Sequence, residues 1–188
     1  MDYKELLDKL KNYKKIVVAG PQRSGTTYCA HILAKDLEYE LIDERDIAIA
    51  SWTMFKQKIK NFKNIVIQCP ELTYMLHEIP SMEERDIIVL VMKRKIEDIQ
   101  SSEKRIGWGG FGGVKMRYQN YFHDKYDEKW WDKWKNNQSS ELRYYFFENH
   151  QYQKMQVEHM YVPYEILKQT SEFKPKKERE NFSPKQIK

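Results

Sequence analysis

Cysteine and long apolar runs are both scarce in this chain of 188 residues. The two cysteines, Cys29 and Cys69, have no zinc-site spacing, and without a secretory signal we expect them to be reduced thiols in the core. The most apolar runs, KIVVAG and DIIVLVM, are far too short to span a bilayer. Because the N-terminus MDYKELLDKLKNYKK is charged where a signal peptide is apolar, we expect a cytoplasmic protein with no membrane partner.

Excess charge is also absent from most of the chain. The formal net charge is +5 with histidine neutral, and the segment 168–188, here called the basic tail, supplies +4 of it from seven basic and three acidic residues. Because the remainder is nearly neutral, we expect no nucleic-acid partner. The basic tail is either a solvated end or a segment that closes over an anionic ligand. The length predicts a single domain, 1–188, that can bury a core.

Five short apolar stretches predict β-strands, and the first, third and fourth are almost unbroken runs of Ile, Val and Leu. Such runs are typical of strands covered on both faces. Helical patterns lie between them, so we expect an α/β fold of three layers and P-loop type, with a mainly parallel sheet of about five strands. The predicted strands are Ile16–Ala19, Glu40–Ile42, Ile65–Ile67, Ile87–Met92 and Met160–Val162, and the predicted helices are Thr26–Leu37, Ile47–Phe62 and Leu72–Ile79.

The stretch from Trp108 to Tyr152 is rich in aromatic side chains, with 14 in 45 residues. It opens within GWGGFGG, which holds five of the seven glycines of the chain. A glycine-dense loop and aromatic helices between the fourth and fifth strands predict a mobile lid or substrate-side cap at 107–152. The alternative is that these aromatics simply pack a helical subregion onto the sheet.

The segment GPQRSGTT has the G-x-x-x-x-G spacing of a phosphate-binding loop between a strand and a helix. Backbone N–H groups and the positive end of the helix favour an anion there. Nucleotide-hydrolysing proteins carry lysine where this chain has Thr26, and Arg23 is the cation inside the loop. No strand clearly ends in an aspartate that is placed to hold a metal ion, and Glu71 is the best remaining candidate for that role. We therefore expect a phosphoryl-like group that is bound without metal.

The same segment, extended to GPQRSGTTY, resembles the 5′-phosphosulfate loop of the sulfotransferases that use 3′-phosphoadenosine 5′-phosphosulfate (PAPS). The resemblance implies that Arg23 contacts the sulfuryl group and the bridging oxygen. One departure is the position of Pro21, which Gln22 separates from the basic residue. The resemblance further implies that the 5′-phosphate is held by Ser24, Gly25, Thr26 and Thr27, with Tyr28 near the adenine.

A second segment, IIVLVMKRKIEDIQSSEKR, resembles the 3′-phosphate element of the same family and matches its arginine with Arg94 and its serine with Ser102. An arginine at the end of a strand and a hydroxyl two helical turns later can converge on one dianion, whatever the family. Ile96 stands where the family usually has proline. Taken alone, Arg94 is more often a surface ion-pair partner.

Two more segments follow in the family's order. HMYVPYEILKQTSEF resembles its late strand, which implies that Tyr164 lies on the adenine side. NIVIQCPELTYML resembles the strand and turn where the family often has lysine, and Gln68 stands there instead. The resemblance spans roughly 16–167, except for the cap at 107–152.

The general base is the least determined part of the site. Many members of the family use a histidine two positions after the lysine, and this chain has Pro70 there. Other members use a carboxylate after the second strand, where ELIDERD offers Asp43, Glu44 and Asp46, and we favour Glu44 as the catalytic base. That charged turn is equally well explained as a solvated one. His31 and His77 are weaker candidates.

These observations predict a sulfotransferase that moves a sulfuryl group from PAPS, as co-substrate, to a hydroxyl or amine of a small-molecule or glycan acceptor. Alignment and positive charge at the bridging oxygen would drive the transfer, with Arg23 as the catalytic cation. One alternative is a P-loop nucleoside or nucleotide kinase-like enzyme. Another is a catalytically degenerate nucleotide-binding protein, which Gln68 and Pro70 keep open.

Overall fold

The computed structural model describes residues 1–20, 23–47, 51–68, 70, 76, 78–80, 82, 84–105 and 157–171. Within them, five parallel strands form one sheet in the order β2-β3-β1-β4-β5. The predicted α/β class is thus confirmed, with every strand parallel. The strands are β1 (Lys15–Ala19), β2 (Glu40–Ile42), β3 (Ile65–Gln68), β4 (Ile87–Lys93) and β5 (His159–Pro163). The helices are α1 (Tyr3–Leu10), α2 (Thr26–Leu37), α3 (Trp52–Asn61), α4 (Ile96–Arg105) and a 3₁₀ helix (Tyr164–Gln169).

Both faces of the sheet are buried, which explains the unbroken apolar runs of β1, β3 and β4. Alternate residues of a strand point to opposite faces, so a strand covered on both faces is apolar along most of its length. One face packs against α3 through Phe55 and Ile59, and the other packs against α1 and α2 through Leu6 and Leu33. The result is the three-layer arrangement that the alternation of strands and helices predicts.

Helix α3 begins five residues later than the sequence pattern predicts, so the expected helix Ile47–Phe62 is wrong at its start. The Ser51 hydroxyl caps the helix by accepting from the Met54 N–H at 3.4 Å. Before it, the Asp46 carboxylate accepts from the Asp43 N–H at 2.8 Å. Such local side-chain bonds compete with helical hydrogen bonds, and they hold the segment from 43 to 47 in a turn.

The helix predicted at Leu72–Ile79 is also only partly described. Its described residues, Leu76, Glu78 and Ile79, are in 3₁₀ rather than α conformation. Pro80 follows, and a proline disfavours the α conformation of the residue before it. The tighter turn of a 3₁₀ helix is the observed outcome.

Helix α1 was not predicted, and it fastens the N-terminus to the far end of the described chain. Asp2 and Glu5 form a capping box at its start. The Tyr3 N–H donates to Gln169 Oε1 at 2.8 Å, and the Tyr3 hydroxyl donates to Asp36 Oδ2 at 2.8 Å. Helix α1 therefore ties the 3₁₀ helix and α2 into one layer.

Some expectations fall wholly or partly outside the described residues. The cap at 107–152 and Cys69 lie outside them, and the basic tail is described only as far as 171. Cys29 is a buried free thiol, and burial raises its pKa to about 12. In the described part of the chain, no helix has the length and apolar character needed to cross a membrane.

Phe55 gives a direct test of the α3 layer, because its side chain is fully buried. We expect Phe55→Ala to lower the free energy of unfolding by about 3–5 kcal/mol, since it removes buried apolar surface and leaves a cavity. Urea unfolding followed by circular dichroism measures the change. Phe62→Ala, at the half-buried end of the same helix, is the matched control and should cost clearly less. Equal losses for the two variants would contradict the assigned packing.

Candidate functional site

The site lies where the carboxyl ends of β1 and β4 meet. These strands are neighbours in the sheet, but the chain leaves β1 through α2 toward β2 and leaves β4 through α4 toward β5. Connections that depart in opposite directions leave a crevice outside the strand ends, and open α/β sheets bind ligands at such a crevice. The loop after β1 and the residues after β4 are therefore brought together by topology.

Two glycines let the loop after β1 bend back toward the sheet. Gly20 and Gly25 have φ values of 133° and 102°, a region that side chains disfavour. A Cβ on Gly20 would lie 3.0 Å from the Met92 carbonyl oxygen, so the loop backbone presses against β4. The glycine spacing seen in the sequence is thus required by the backbone path.

The start of helix α2 has no side-chain cap. Its N-cap residue is Gly25, and no acidic residue lies in its first turn. The first N–H groups of a helix have no intrahelical acceptors, and they carry partial positive charge. Next to them, Ser24 is fully buried, and its Oγ has no hydrogen-bond partner among the described residues. An anion at this point would satisfy both sets of donors.

Arg94 follows β4 directly and reaches the loop. Its Nη1 donates to the Arg23 carbonyl oxygen at 2.9 Å, and its guanidinium carbon lies 4.2 Å from the ring centroid of Tyr164. Its Nε is buried and has no hydrogen-bond partner in the part of the chain that the structure describes. Arg94 is thus a loop-contacting cation and not a surface ion-pair partner of the ordinary kind.

Ser102 completes this cluster from helix α4. Arg23 Nε donates to Ser102 Oγ at 3.1 Å, and Ser102 is 6% exposed. Arg23 has a φ of 68°, so its backbone is in the left-handed region. The spacing of eight residues between Arg94 and Ser102 does bring both side chains to the loop. Arg23, which was expected at the sulfuryl end of the nucleotide, thus contacts both Arg94 and Ser102, which were expected at its 3′-phosphate.

The remaining loop residues differ in exposure. Thr26 is 3% exposed, whereas Thr27 is exposed at the start of α2 and Tyr28 is half-buried. Tyr164, which was expected on the adenine side, has its ring buried against Gly25 of the loop, with Arg94 over its face. Gln68 ends β3 beside β1 and is 3% exposed. These placements give the loop residues a shared location, and their binding roles stay predictions.

The predicted base, Glu44, lies in the turn after β2, two strands away from β1 at the same carboxyl edge of the sheet. Its neighbour Asp43 accepts from Arg45 Nη2 at 2.5 Å and from Arg45 Nε at 3.0 Å. Burial acts to raise the pKa of Asp43, but the hydrogen bonds and charge of Arg45 outweigh it and lower that pKa. Asp43 is therefore a poor base.

His31, on the outer part of α2, faces the same turn. Burial lowers its pKa, the Asp43 charge raises it and the Arg45 charge lowers it, with a net decrease. Sequence analysis placed His31 only on the loop helix, because its contact with the turn after β2 depends on tertiary packing. Glu71 and His77 lie outside the described residues. The described residues contain no group of three or more His, Cys, Asp or Glu side chains that could hold a metal ion.

Ten chains of solved structures resemble this one, among them the following two. Shikimate kinase from Acinetobacter baumannii in complex with shikimate has a TM-score of 0.40 and 13% identity, over 63% of this chain and 79% of that one. YorR protein from Bacillus subtilis in complex with phosphorylated GDP has a TM-score of 0.48 and 12% identity, over 80% of this chain and 86% of that one. No protein-family model and no curated protein matches the sequence. At these identities and TM-scores, the likenesses assign neither a family nor an activity.

The lowered pKa of His31 predicts a pH dependence of stability. A histidine whose folded pKa lies below its unfolded value of about 6.5 binds more protons when unfolded, so stability falls as pH falls through that value. We expect His31→Gln to flatten the decrease between about pH 7 and 5, by a fraction of the ~1.4 kcal/mol per pH unit of a full proton difference. Urea unfolding at several pH values measures it. Above pH 7.5 the two proteins should have parallel stabilities, and identical slopes at low pH would contradict the assignment.

Proposed function

We propose that this chain is a nucleotide-dependent group-transfer enzyme, and specifically a sulfotransferase that uses PAPS. The observation that carries the proposal is the crevice between β1 and β4. There the start of α2 has no side-chain cap, and Ser24 Oγ and Arg94 Nε are buried without hydrogen-bond partners among the described residues. Buried polar groups that lack partners are costly, so a site that keeps them is built for a ligand with matching acceptors.

A nucleotide with two anionic groups fits this donor set. The helix start and Ser24 suit a 5′-phosphate, because they supply N–H and hydroxyl donors with little net charge. Arg94 and Ser102 suit a second dianion, because a guanidinium offers a planar set of donors that matches phosphate oxygens. Since Arg94 contacts the loop backbone through Arg23, the two anions would bind side by side.

Arg23 would supply the charge that the transfer needs. A sulfuryl group moves by in-line displacement, and positive charge at the bridging oxygen stabilises the leaving group. In the observed structure Arg23 Nε instead donates to Ser102 Oγ. Binding of the donor would therefore require Arg23 to exchange Ser102 for the ligand, which frees that hydroxyl for the second anion.

Proton removal from the acceptor is assigned to Glu44. It shares the carboxyl edge of the sheet with the phosphate loop, and its neighbour Asp43 is already held by Arg45. The proposed acceptor is the hydroxyl or amine of a small molecule or glycan, and nucleic acid is not a proposed partner. An aromatic cap at 107–152 would suit an acceptor with rings.

A kinase-like P-loop enzyme is the second candidate. The G-x-x-x-x-G spacing and the exposed Thr27 at the start of α2 favour it, because kinases of this type place a hydroxyl there. Thr26 counts against it, since such enzymes need a lysine at that position. Turnover of ATP in the presence of Mg²⁺ would favour this candidate over the sulfotransferase.

A nucleotide-binding protein without activity is the third candidate. Gln68, buried at the end of β3, stands where the resembling family often has a cation. Binding of the desulfated nucleotide with no sulfuryl transfer to a broad acceptor panel would favour this candidate.

Calorimetry with 3′-phosphoadenosine 5′-phosphate tests the nucleotide site. We expect micromolar affinity for the wild-type chain. Arg94→Ala should weaken it by roughly 10- to 100-fold, because a hydrogen bond between charged groups is worth about 1.5–3 kcal/mol. Lys95→Ala removes an exposed positive charge from the next residue and is the matched control, with an expected loss of less than threefold. If the wild type binds no nucleotide of this kind, the proposal is wrong.

Turnover tests the assignment of the base. With PAPS and an accepted hydroxyl compound, we expect Glu44→Gln to lower kcat by roughly 10²–10⁴-fold while nucleotide affinity stays unchanged, because general base catalysis contributes about that factor. Asp46→Asn, in the same turn, is the control and should retain activity. A loss in Asp46→Asn with normal activity in Glu44→Gln would move the role to Asp46.

A further inference from the structure

Tyr164 lies where the loop, β4 and the 3₁₀ helix meet. Its ring is 6% exposed, and the guanidinium carbon of Arg94 lies 4.2 Å from the ring centroid. A Cβ on Gly25 would lie 2.6 Å from Tyr164 Cδ2 and 2.7 Å from Cε2. The ring therefore contacts the loop glycine along its edge and Arg94 on its face. Only a residue without a side chain fits at position 25 beside this ring.

The sheet register places these groups together. In the parallel pair of β4 and β5, Lys93 lies opposite Pro163, so the next residues, Arg94 and Tyr164, leave the sheet side by side. The 3₁₀ helix that Tyr164 begins is anchored by the buried Leu167. It is also anchored by Gln169, which accepts the Tyr3 N–H. Tyr164 thus stands on a fixed support.

The contacts of Arg94 hold its guanidinium plane in one orientation. One face lies on the Tyr164 ring, and Nη1 donates to the Arg23 carbonyl oxygen at 2.9 Å. A planar group held by a face contact and an in-plane hydrogen bond has little rotational freedom left. The buried Nε, with no partner among the described residues, is then oriented before any ligand binds. Such preorganisation strengthens binding because less freedom is lost.

We infer that Tyr164 is a positioning residue for Arg94, and not a residue that stacks on the base of the nucleotide. This differs from the adenine-side role that the family resemblance implies. The inference deepens the proposed function and rests on it in one respect, which is that the anion bound by Arg94 is the 3′-phosphate. The stacking of Arg94 on Tyr164 does not depend on that identity.

Calorimetry with two nucleotides tests the inference. Adenosine 3′,5′-bisphosphate carries both anions, whereas adenosine 5′-monophosphate lacks the 3′-phosphate. We expect Tyr164→Leu to reduce the preference for the bisphosphate by roughly 3- to 30-fold, since a cation–π contact of a partly desolvated arginine is lost. Affinity for the monophosphate should change less than twofold. Tyr164→Phe keeps the ring and should keep the preference.

A double-mutant cycle separates positioning from general support of the fold. If Tyr164 acts through Arg94, then Tyr164→Leu should cause no further loss of preference in the Arg94→Ala background. Equal weakening of both nucleotides by Tyr164→Leu, or full additivity with Arg94→Ala, would overturn the inference while leaving the proposed function intact. If Tyr164→Leu does not fold, Tyr164→Met replaces it, because methionine fills the space without an aromatic face.

An NMR measurement on the ligand-free protein tests the inference independently of nucleotide binding. The Arg94 Nε–H signal, identified by its absence in Arg94→Lys, should be shifted by the ring current of Tyr164 in the wild type and in Tyr164→Phe. It should move toward the value of an unstacked arginine in Tyr164→Leu. A wild type that binds neither nucleotide contradicts the proposed function alone, and this signal then decides the inference. An unchanged signal in Tyr164→Leu would overturn it.

Discussion

Backbone N–H groups without intrahelical acceptors at the start of α2 are the constraint on which the site depends. Helices usually satisfy such groups with a side chain at the N-cap, but this helix has a glycine there and no acidic residue in its first turn. Gly25 is required because its φ is 102° and because Tyr164 fills the space of a side chain. Tight packing behind the loop thus explains why the N-cap residue has no side chain that could satisfy the helix start.

Positive charge accumulates around this point. Arg94 contacts a carbonyl oxygen and an aromatic ring, neither of which carries a formal charge. Arg23 is drawn to the same place by its hydrogen bond to Ser102. An anion bound beside these two arginines would be stabilised by their positive charge and by that of the helix start. The proposed donor, with its two anionic groups, matches this balance of charge.

The sequence predicted the sheet well because a strand that is buried on both faces consists almost entirely of apolar residues. Each predicted strand was found within one residue at either end, and helix α2 was found at its predicted bounds. The start of α3 was missed because hydrogen bonds around Asp43 and Asp46 compete with an apolar helical pattern. Local side-chain hydrogen bonds therefore set the start of α3.

Sequence analysis selected residues that the structure brings together, but it did not predict their contacts, and their binding roles stay predictions. Spacing and family resemblance selected Arg94, Ser102 and Tyr164, and all three lie at the loop. The hydrogen bond between Arg23 and Ser102 depends on where α4 lies relative to the loop, and the burial of the Tyr164 ring under Arg94 depends on the pairing of β5 with β4. No pattern within a single segment records such packing, because the partners are 70 or more residues apart.

The order of the strands also bears on how the protein is made. Of the five described strands, β1 is synthesised first, yet it occupies the centre of the sheet, and its partners are β3 and β4. Its backbone stays without strand partners until residues 65–68 and 87–91 have been synthesised. Pairing between distant segments slows folding and exposes apolar surface to aggregation. We therefore expect nascent chains that end before β4 to need chaperones.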